Sequence, residues 1–308
     1  MGITVVVPVF NGGRNAQELA DRLYRALREI TKDFELILVN DGSRDDSWME
    51  VMNLSQKLDW VMGIDLMKNY GQHNALLCGI RMAKHEFVVT MDDDLQHPPE
   101  EIHKLVNRMA EGYDVVYGTI RIPKHSFFRK LGSTGLRMAL SIFLGNPLIR
   151  KISSFRMFRT RLRESFAHYS GDSVCIDALL SWGTNSIAHV DVSHDSRSNG
   201  ESNYNFKRLF KHALNNFYSF NAFPLKLVYF LGLFFTVCGM ALLMFIIGNY
   251  LIHGSVAPGF AFLASTFVIF SGVQLFSLGI LGEYISRIHV GIQNRPAYLI
   301  RAVSQKKN

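Results

Sequence analysis

The stretch Phe87–Glu100, FVVTMDDDLQHPPE, restricts the possible folds of this chain more than any other. Phe87 to Met91 is short, apolar and partly β-branched, the composition of a buried strand. It delivers Asp92, Asp93 and Asp94 in succession, with Gln96 and His97 close behind. Pro98-Pro99-Glu100 then stops the strand and opens a helix, where proline is tolerated at the first positions. Carboxylates at the carboxyl end of a strand lie where open α/β sheets bind ligands. Hard oxygen donors in such a cluster suit Mg²⁺ or Mn²⁺, and those cations suit a diphosphate.

The rest of the first 120 residues repeats this plan. Ile3–Phe10, Phe34–Val39, Trp60–Leu66 and Asp114–Gly118 are further apolar runs. Between the first two, Ala16, Leu19, Leu23, Ala26, Leu27 and Ile30 recur at helical spacing. Strands alternating with helices predict a mostly parallel sheet with crossover helices. Polar clusters follow the strands: Asn11, Asn40-Asp41, Lys68-Asn69 and Asp92–Gln96. All are expected at one edge of the sheet. No G-x-G-x-x-G or Walker-type loop is present, which speaks against a dinucleotide dehydrogenase or a P-loop ATPase.

Between Arg121 and Arg163 the chain becomes basic, with Arg129 and Arg156 among eleven Lys and Arg positions singled out there for phosphate binding. Arg156 lies in Ser153-Ser154-Phe155-Arg156-Met157-Phe158, among apolar neighbours, where an arginine needs a partner. Ile187–Val192 is a further strand, followed by the polar loop HDSRSNGESNYN. From about Phe206 to Phe220, Lys207, Arg208, Lys211 and His212 oppose Phe206, Leu209, Phe210, Leu214 and Phe217. That pattern fits a helix lying in a membrane interface.

Leu227–Ile247 and Gly259–Leu281 are uncharged runs of roughly 21 and 23 residues, each long enough to cross a hydrocarbon core. The loop between them has no Lys or Arg, whereas basic residues flank both outer ends. The positive-inside bias then puts both termini and the sheet domain on the cytoplasmic side of the inner membrane. A net charge of +7 and a sequence pI near 9.3 agree with an anionic lipid surface as partner. No basic helix with interleaved base-stacking aromatics argues for nucleic acid. Three well-separated cysteines, Cys78, Cys175 and Cys238, point to a reducing compartment, and no signal peptide is recognised. The expected domains are a catalytic α/β unit at 1–203, an interfacial helix at 204–223, a two-helix transmembrane hairpin at 224–282 and a cytoplasmic tail at 283–308.

PVFN at 8–11, NDGSRDDS at 40–47, NYGQ at 69–72, MDDDLQHPPE at 91–100, SFR at 154–156, LGEYISRIH at 281–289 and NRPAY at 294–298 together resemble family 2 glycosyltransferases that act on polyprenyl phosphates. The bacterial undecaprenyl-phosphate sugar transferases are similar over nearly the whole chain. The resemblance implies a GT-A fold, a nucleotide-diphosphate sugar donor and inverting displacement with Mg²⁺ or Mn²⁺. It implies that Asp92, Asp94 and Gln96 hold the metal and the donor diphosphate. Pro8, Asn11, Asn40, Asp41, Lys68 and Asp93 are expected to surround the nucleotide. Arg129 and Arg156 are similar to basic residues near the phosphates, and Arg197 and Ser202 lie in the loop resembling a mobile active-site loop. Three positions depart from the pattern: Gly12 in place of Glu, Lys151-Ile152 where an acid precedes SFR, and Asn203 in place of Lys.

The expected function is transfer of a sugar from a UDP-hexose to undecaprenyl phosphate, in a chain that could form a homo-oligomer. The competing readings are a glycosyltransferase acting on a polysaccharide or glycerolipid, and an inactive scaffold or flippase partner. The unbroken Asp92, Asp94, Gln96 set argues against the last.

Overall fold

The computed structural model describes residues 1–120, 153–170, 174–193, 259–293 and 295–306, with scattered helical positions between 228 and 252. The chain divides into two units, 1–205 with 294–308, and 206–293.

In the first unit, β1 (Ile3–Val9), β2 (Phe34–Asn40), β3 (Val61–Leu66) and β4 (Phe87–Thr90) alternate with α1 (Ala16–Ile30), α2 (Ser47–Lys57) and α3 (Gln72–Met82). Then come α4 (Ile102–Met109), β5 (Val115–Ile120), β6 (Arg156–Arg159), α5 (Ile176–Gly183), β7 (Ile187–Val192), α6 (Phe260–Ile292) and β8 (Ile300–Gln305), α6 belonging to the second unit. The eight strands form one sheet in the order β7-β5-β6-β4-β1-β2-β3-β8.

All seven residues of β1 are buried, because β2 and β4 flank it and helices cover both faces. Side chains alternate between the faces with the pleat. Val5, Val7 and Val9 join a core with Leu19, Leu23 and Leu27 of α1 and with Ile102 and Leu105 of α4. Val6 points the other way, into a second core with Leu76, Leu77 and Ile80 of α3 and Leu179 of α5. Each fully buried aliphatic side chain of this kind contributes about 1.5–3 kcal/mol.

The sheet is mixed. The β3-β2-β1-β4 block is parallel, as its alternation with helices requires. The short β6 inserts antiparallel between β4 and β5, and β5 pairs in parallel with β7. The 283–308 segment, expected as a tail, contributes β8, antiparallel to β3 at the sheet edge.

In the second unit, α6 is one continuous helix of 33 residues and continues ten residues past the expected end of the hairpin at 282. Phe267, Leu275, Phe276, Leu278 and Ile285 are exposed along it. Side chains at ten of its positions lie outside the description. Taken over the described residues alone, no helix is long and apolar enough to cross a membrane. The expected interfacial helix at 206–220 lies outside the described residues, as do Arg129, Arg197 and Ser202.

Candidate active site

The strand order reverses beside β1. The chain builds β2 and β3 on one side of β1 and returns to place β4 on the other. A crevice at the carboxyl ends of β1 and β4 follows from that reversal. Pairing of β1 with β4 ends at Val6–Thr90. Pro8, buried in β1, therefore falls beyond the end of β4, where its missing N–H leaves no gap in that ladder.

The turns after the four parallel strands are joined in a ring. Asn11, at φ +54°, donates its backbone N–H to Ser43 Oγ at 3.0 Å and accepts from the Arg44 N–H at Oδ1 at 3.0 Å. This ties the first turn to the second, and asparagine tolerates the left-handed conformation better than most residues. Asp41, 2% exposed, accepts the Tyr70 N–H at 2.7 Å and the Gly71 N–H at 2.9 Å, tying the second turn to the third. Burial raises the Asp41 carboxyl above its ordinary range, and those two backbone donors oppose the rise. Gln72 Nε2, at the start of α3, donates to Asp92 Oδ1, tying the third turn to the fourth. Asn15 Nδ2 donates to the Asp93 carbonyl at 3.3 Å and closes the ring.

Gly42 shows how tightly the turns pack. Its φ is +63°, and a Cβ there would sit 2.4 Å from the Lys68 carbonyl carbon. Lys68 itself is exposed, with Nζ 5.0 Å above the Tyr70 ring.

The three acids have different surroundings. Asp92 Oδ2 accepts the Ser154 hydroxyl at 2.6 Å. Asp93 lies half-buried under the first turn, where a Cβ on Gly12 would come within 2.1 Å of Oδ2. That oxygen has no hydrogen-bond partner. Burial, reinforced by the charges of Asp92 and Asp94, pushes the Asp93 carboxyl up to about 7. Asp94 Oδ1 accepts the Gln96 N–H at 3.1 Å. Between them Leu95 is held at φ +58° with its side chain buried. A left-handed leucine costs about 1–2 kcal/mol, which its packing offsets.

This donor set fits a hard divalent cation. Adjacent carboxylates on one turn repel, a buried carboxylate oxygen lacks a partner, and the donors are all oxygen. His73, Cys175 and Asp177 also bring ligand atoms within 4.8 Å of one another. They fit a cation poorly. Asp177 Oδ1 already binds Arg156 and the Tyr117 hydroxyl, His73 Nδ1 accepts the Ile176 N–H at 3.4 Å, and burial pushes the Cys175 thiol up.

Three expected positions take structural roles. Arg156 is only 1% exposed, pairs with Asp177 and donates from Nε to Thr90 Oγ1 at 3.0 Å. Its partner is thus a carboxylate beneath the site, where the sequence pointed to a phosphate. Asp41 uses one acceptor site on each carboxylate oxygen to hold a neighbouring turn, and each oxygen keeps a second for the expected donor contact. Asn40 Nδ2 donates to Asp65 Oδ1 at 2.7 Å, and Arg301 of β8 reaches Asp65 Oδ2 at 3.1 Å. Gln72 and Ser154, which meet Asp92, lie in the NYGQ and SFR motifs but outside the site residues that the sequence predicts.

Residues 4–168 match the glycosyl transferase family 2 domain. An undecaprenyl-phosphate 4-deoxy-4-formamido-L-arabinose transferase of Pectobacterium carotovorum subsp. carotovorum (strain PC1) is 34% identical over 304 residues, spanning 97% of this chain and 92% of the relative. A protein of the same name from Proteus mirabilis (strain HI4320) is 32% identical over 306 residues, spanning 98% and 93%. Among solved structures, mannosyl-3-phosphoglycerate synthase from Rubrobacter xylanophilus superposes with a TM-score of 0.51 at 15% identity, over 69% of this chain and 70% of that one. Likeness at that identity speaks for the fold alone.

Proposed function

The chain belongs to glycosyl transferase family 2, and we propose from this that it transfers a sugar from a UDP-sugar to undecaprenyl phosphate at the cytoplasmic face of the inner membrane. The observation that carries the proposal is the Asp92–Asp93–Asp94 turn, placed beside β1 where the strand order reverses.

In this reading Asp92, Asp94 and Gln96 hold Mg²⁺ or Mn²⁺ together with the donor diphosphate. When bound, the cation supplies charge neutralisation for the departing nucleoside diphosphate. The protein's own part is to hold the crevice rigid. The Asn11, Asp41 and Gln72 contacts fix the four turns relative to one another, which is the preorganisation that transition-state stabilisation needs. An acceptor phosphate monoester, with a second pKa of about 6, is already largely ionised at neutral pH. It can attack the anomeric carbon, breaking the bond to the donor phosphate oxygen with inversion, and needs no strong general base. Arg129, Arg197 and Ser202 are proposed to meet the two phosphates.

The apolar runs 227–247 and 259–281 are proposed to anchor the chain as a membrane hairpin. Their lack of charge, the basic residues outside them and the exposed leucine and phenylalanine side chains along α6 support this. The two relatives are named for a formamido pentose. That sugar joins the UDP-hexoses in the donor panel.

The test is sugar transfer by purified, detergent-solubilised protein given undecaprenyl phosphate, Mg²⁺ or Mn²⁺ and a panel of UDP- and GDP-sugars. EDTA-sensitive formation of a lipid-extractable sugar from one donor is the expected result. A folded protein that transfers to a polysaccharide or glycerolipid primer instead, or to nothing, would overturn the assignment of acceptor or of activity.

A further inference from the structure

Asp92 is braced on both carboxylate oxygens, and the two braces come from different parts of the chain. Gln72, the first residue of α3, donates from Nε2 to Oδ1. Ser154, two residues before β6, donates from its hydroxyl to Oδ2 at 2.6 Å. Each oxygen keeps a second lone pair, so the braces orient the carboxylate without consuming it.

The Ser154 brace is anchored from below. Thr90, the last residue of β4, donates its hydroxyl to the Ser154 carbonyl at 2.8 Å. The same Thr90 oxygen accepts from Arg156 Nε at 3.0 Å. Arg156 is in turn held by Asp177, whose Oδ1 also accepts the Tyr117 hydroxyl at 2.9 Å. Every member below Ser154 is buried or nearly so. The antiparallel insertion of β6 beside β4 makes the chain of contacts possible, since it sets Arg156 opposite Thr90.

We propose that Gln72 and Ser154 are positioning residues that set the orientation of the Asp92 carboxylate toward the cation and donor diphosphate, with Ser154 fixed by the buried Thr90–Arg156–Asp177 array. This rests on the reading of Asp92 as a donor-site carboxylate. A metal-binding carboxylate is usually held by such outer partners, and their loss typically costs 10–100-fold in metal affinity. An unbraced Asp92 would be free to rotate about its side-chain torsions.

The experiment is a Mn²⁺ titration of the full-length protein in detergent with UDP present, followed by the EPR signal of free Mn²⁺. The variants are Gln72→Ala, Ser154→Ala, Ser154→Thr and Asp92→Ala, each with a thermal melt. Gln72→Ala and Ser154→Ala are expected to weaken Mn²⁺ binding about tenfold at near-wild-type Tm. Ser154→Thr, which keeps the hydroxyl, is expected to restore it, and Asp92→Ala to weaken it further. Wild-type Mn²⁺ affinity in both alanine variants, with binding lost in Asp92→Ala, overturns the positioning role and leaves the donor site standing. Wild-type affinity in Asp92→Ala overturns the donor-site reading and the positioning role together.

Discussion

A Cβ added to Gly12 would lie 2.1 Å from Oδ2 of Asp93, so the β1 turn rests directly on the middle carboxylate of the acidic turn. Gly12 is one of the positions at which this chain departs from the pattern it resembles. The departure and the burial of the Asp93 Oδ2 atom are two sides of one contact. Gly12→Ala is expected to displace the Asp93 carboxylate, at about 1–3 kcal/mol for overpacking. Urea denaturation would measure that cost. A larger loss of transfer activity than of stability would show that the turn geometry matters to the site.

Asp94→Ala should leave the fold intact, because Asp94 is only half-buried and its Oδ1 contact is local, to the Gln96 N–H. Its midpoint in urea is expected close to that of the wild type, within the roughly 0.5 kcal/mol usual for substitutions that leave the core untouched. Sugar transfer is expected to fall by about a hundredfold or more, in line with the upper range for a disturbed metal site. Unchanged transfer in this variant would sink the metal assignment.

Asp177→Ala removes the carboxylate that pairs with Arg156, which is 1% exposed. Leaving that charge buried and unpaired is expected to cost about 3–5 kcal/mol. Replacing Arg156 by Met in the same chain should recover part of the loss, since an apolar side chain of similar length requires no partner. Denaturation midpoints of the single and double variants give the coupling.

Arg301→Ala tests the last strand. Arg301 caps the buried Asp65 from β8 and also donates to the Met67 carbonyl at 2.6 Å. Asp65 keeps its bond from Asn40, and Arg301 is half in solvent, so the expected cost is modest, about 1 kcal/mol. Hydrogen exchange should quicken along β8 and β3 more than along β1.

Cys78 is fully buried, and burial pushes its thiol up to about 12, against lowering from Tyr298 and Arg81. At pH 8 almost none of it is thiolate, the reactive form. Iodoacetamide is therefore expected to spare Cys78 in the native protein and to modify it in urea, as read by peptide mass spectrometry. Rapid native labelling would contradict the packing of α3 on the sheet.

The sequence by itself determined the parallel half of the sheet and its acidic crevice. Apolar runs such as Ile3–Val9 can be buried on both faces only in a parallel sheet covered by helices. Polar residues after each run must then gather at the strands' carboxyl ends. Residue pattern alone specifies both. Tertiary structure decided what no local pattern encodes. β6 is four residues long and carries arginine at each end, so its period reveals nothing until Asp177 arrives to neutralise Arg156. β8 is a strand only because β3 offers an open edge and Asp65 a buried charge. The split among the acids is of the same kind. Asp41 and Asp92 read alike as carboxylates after strands. Asp41, 2% exposed, is held by the next turn's amides, while the half-buried Asp92 is held by the side chains of Gln72 and Ser154. Which groups hold each carboxylate depends on partners from distant segments, and only the folded chain brings them within hydrogen-bond reach.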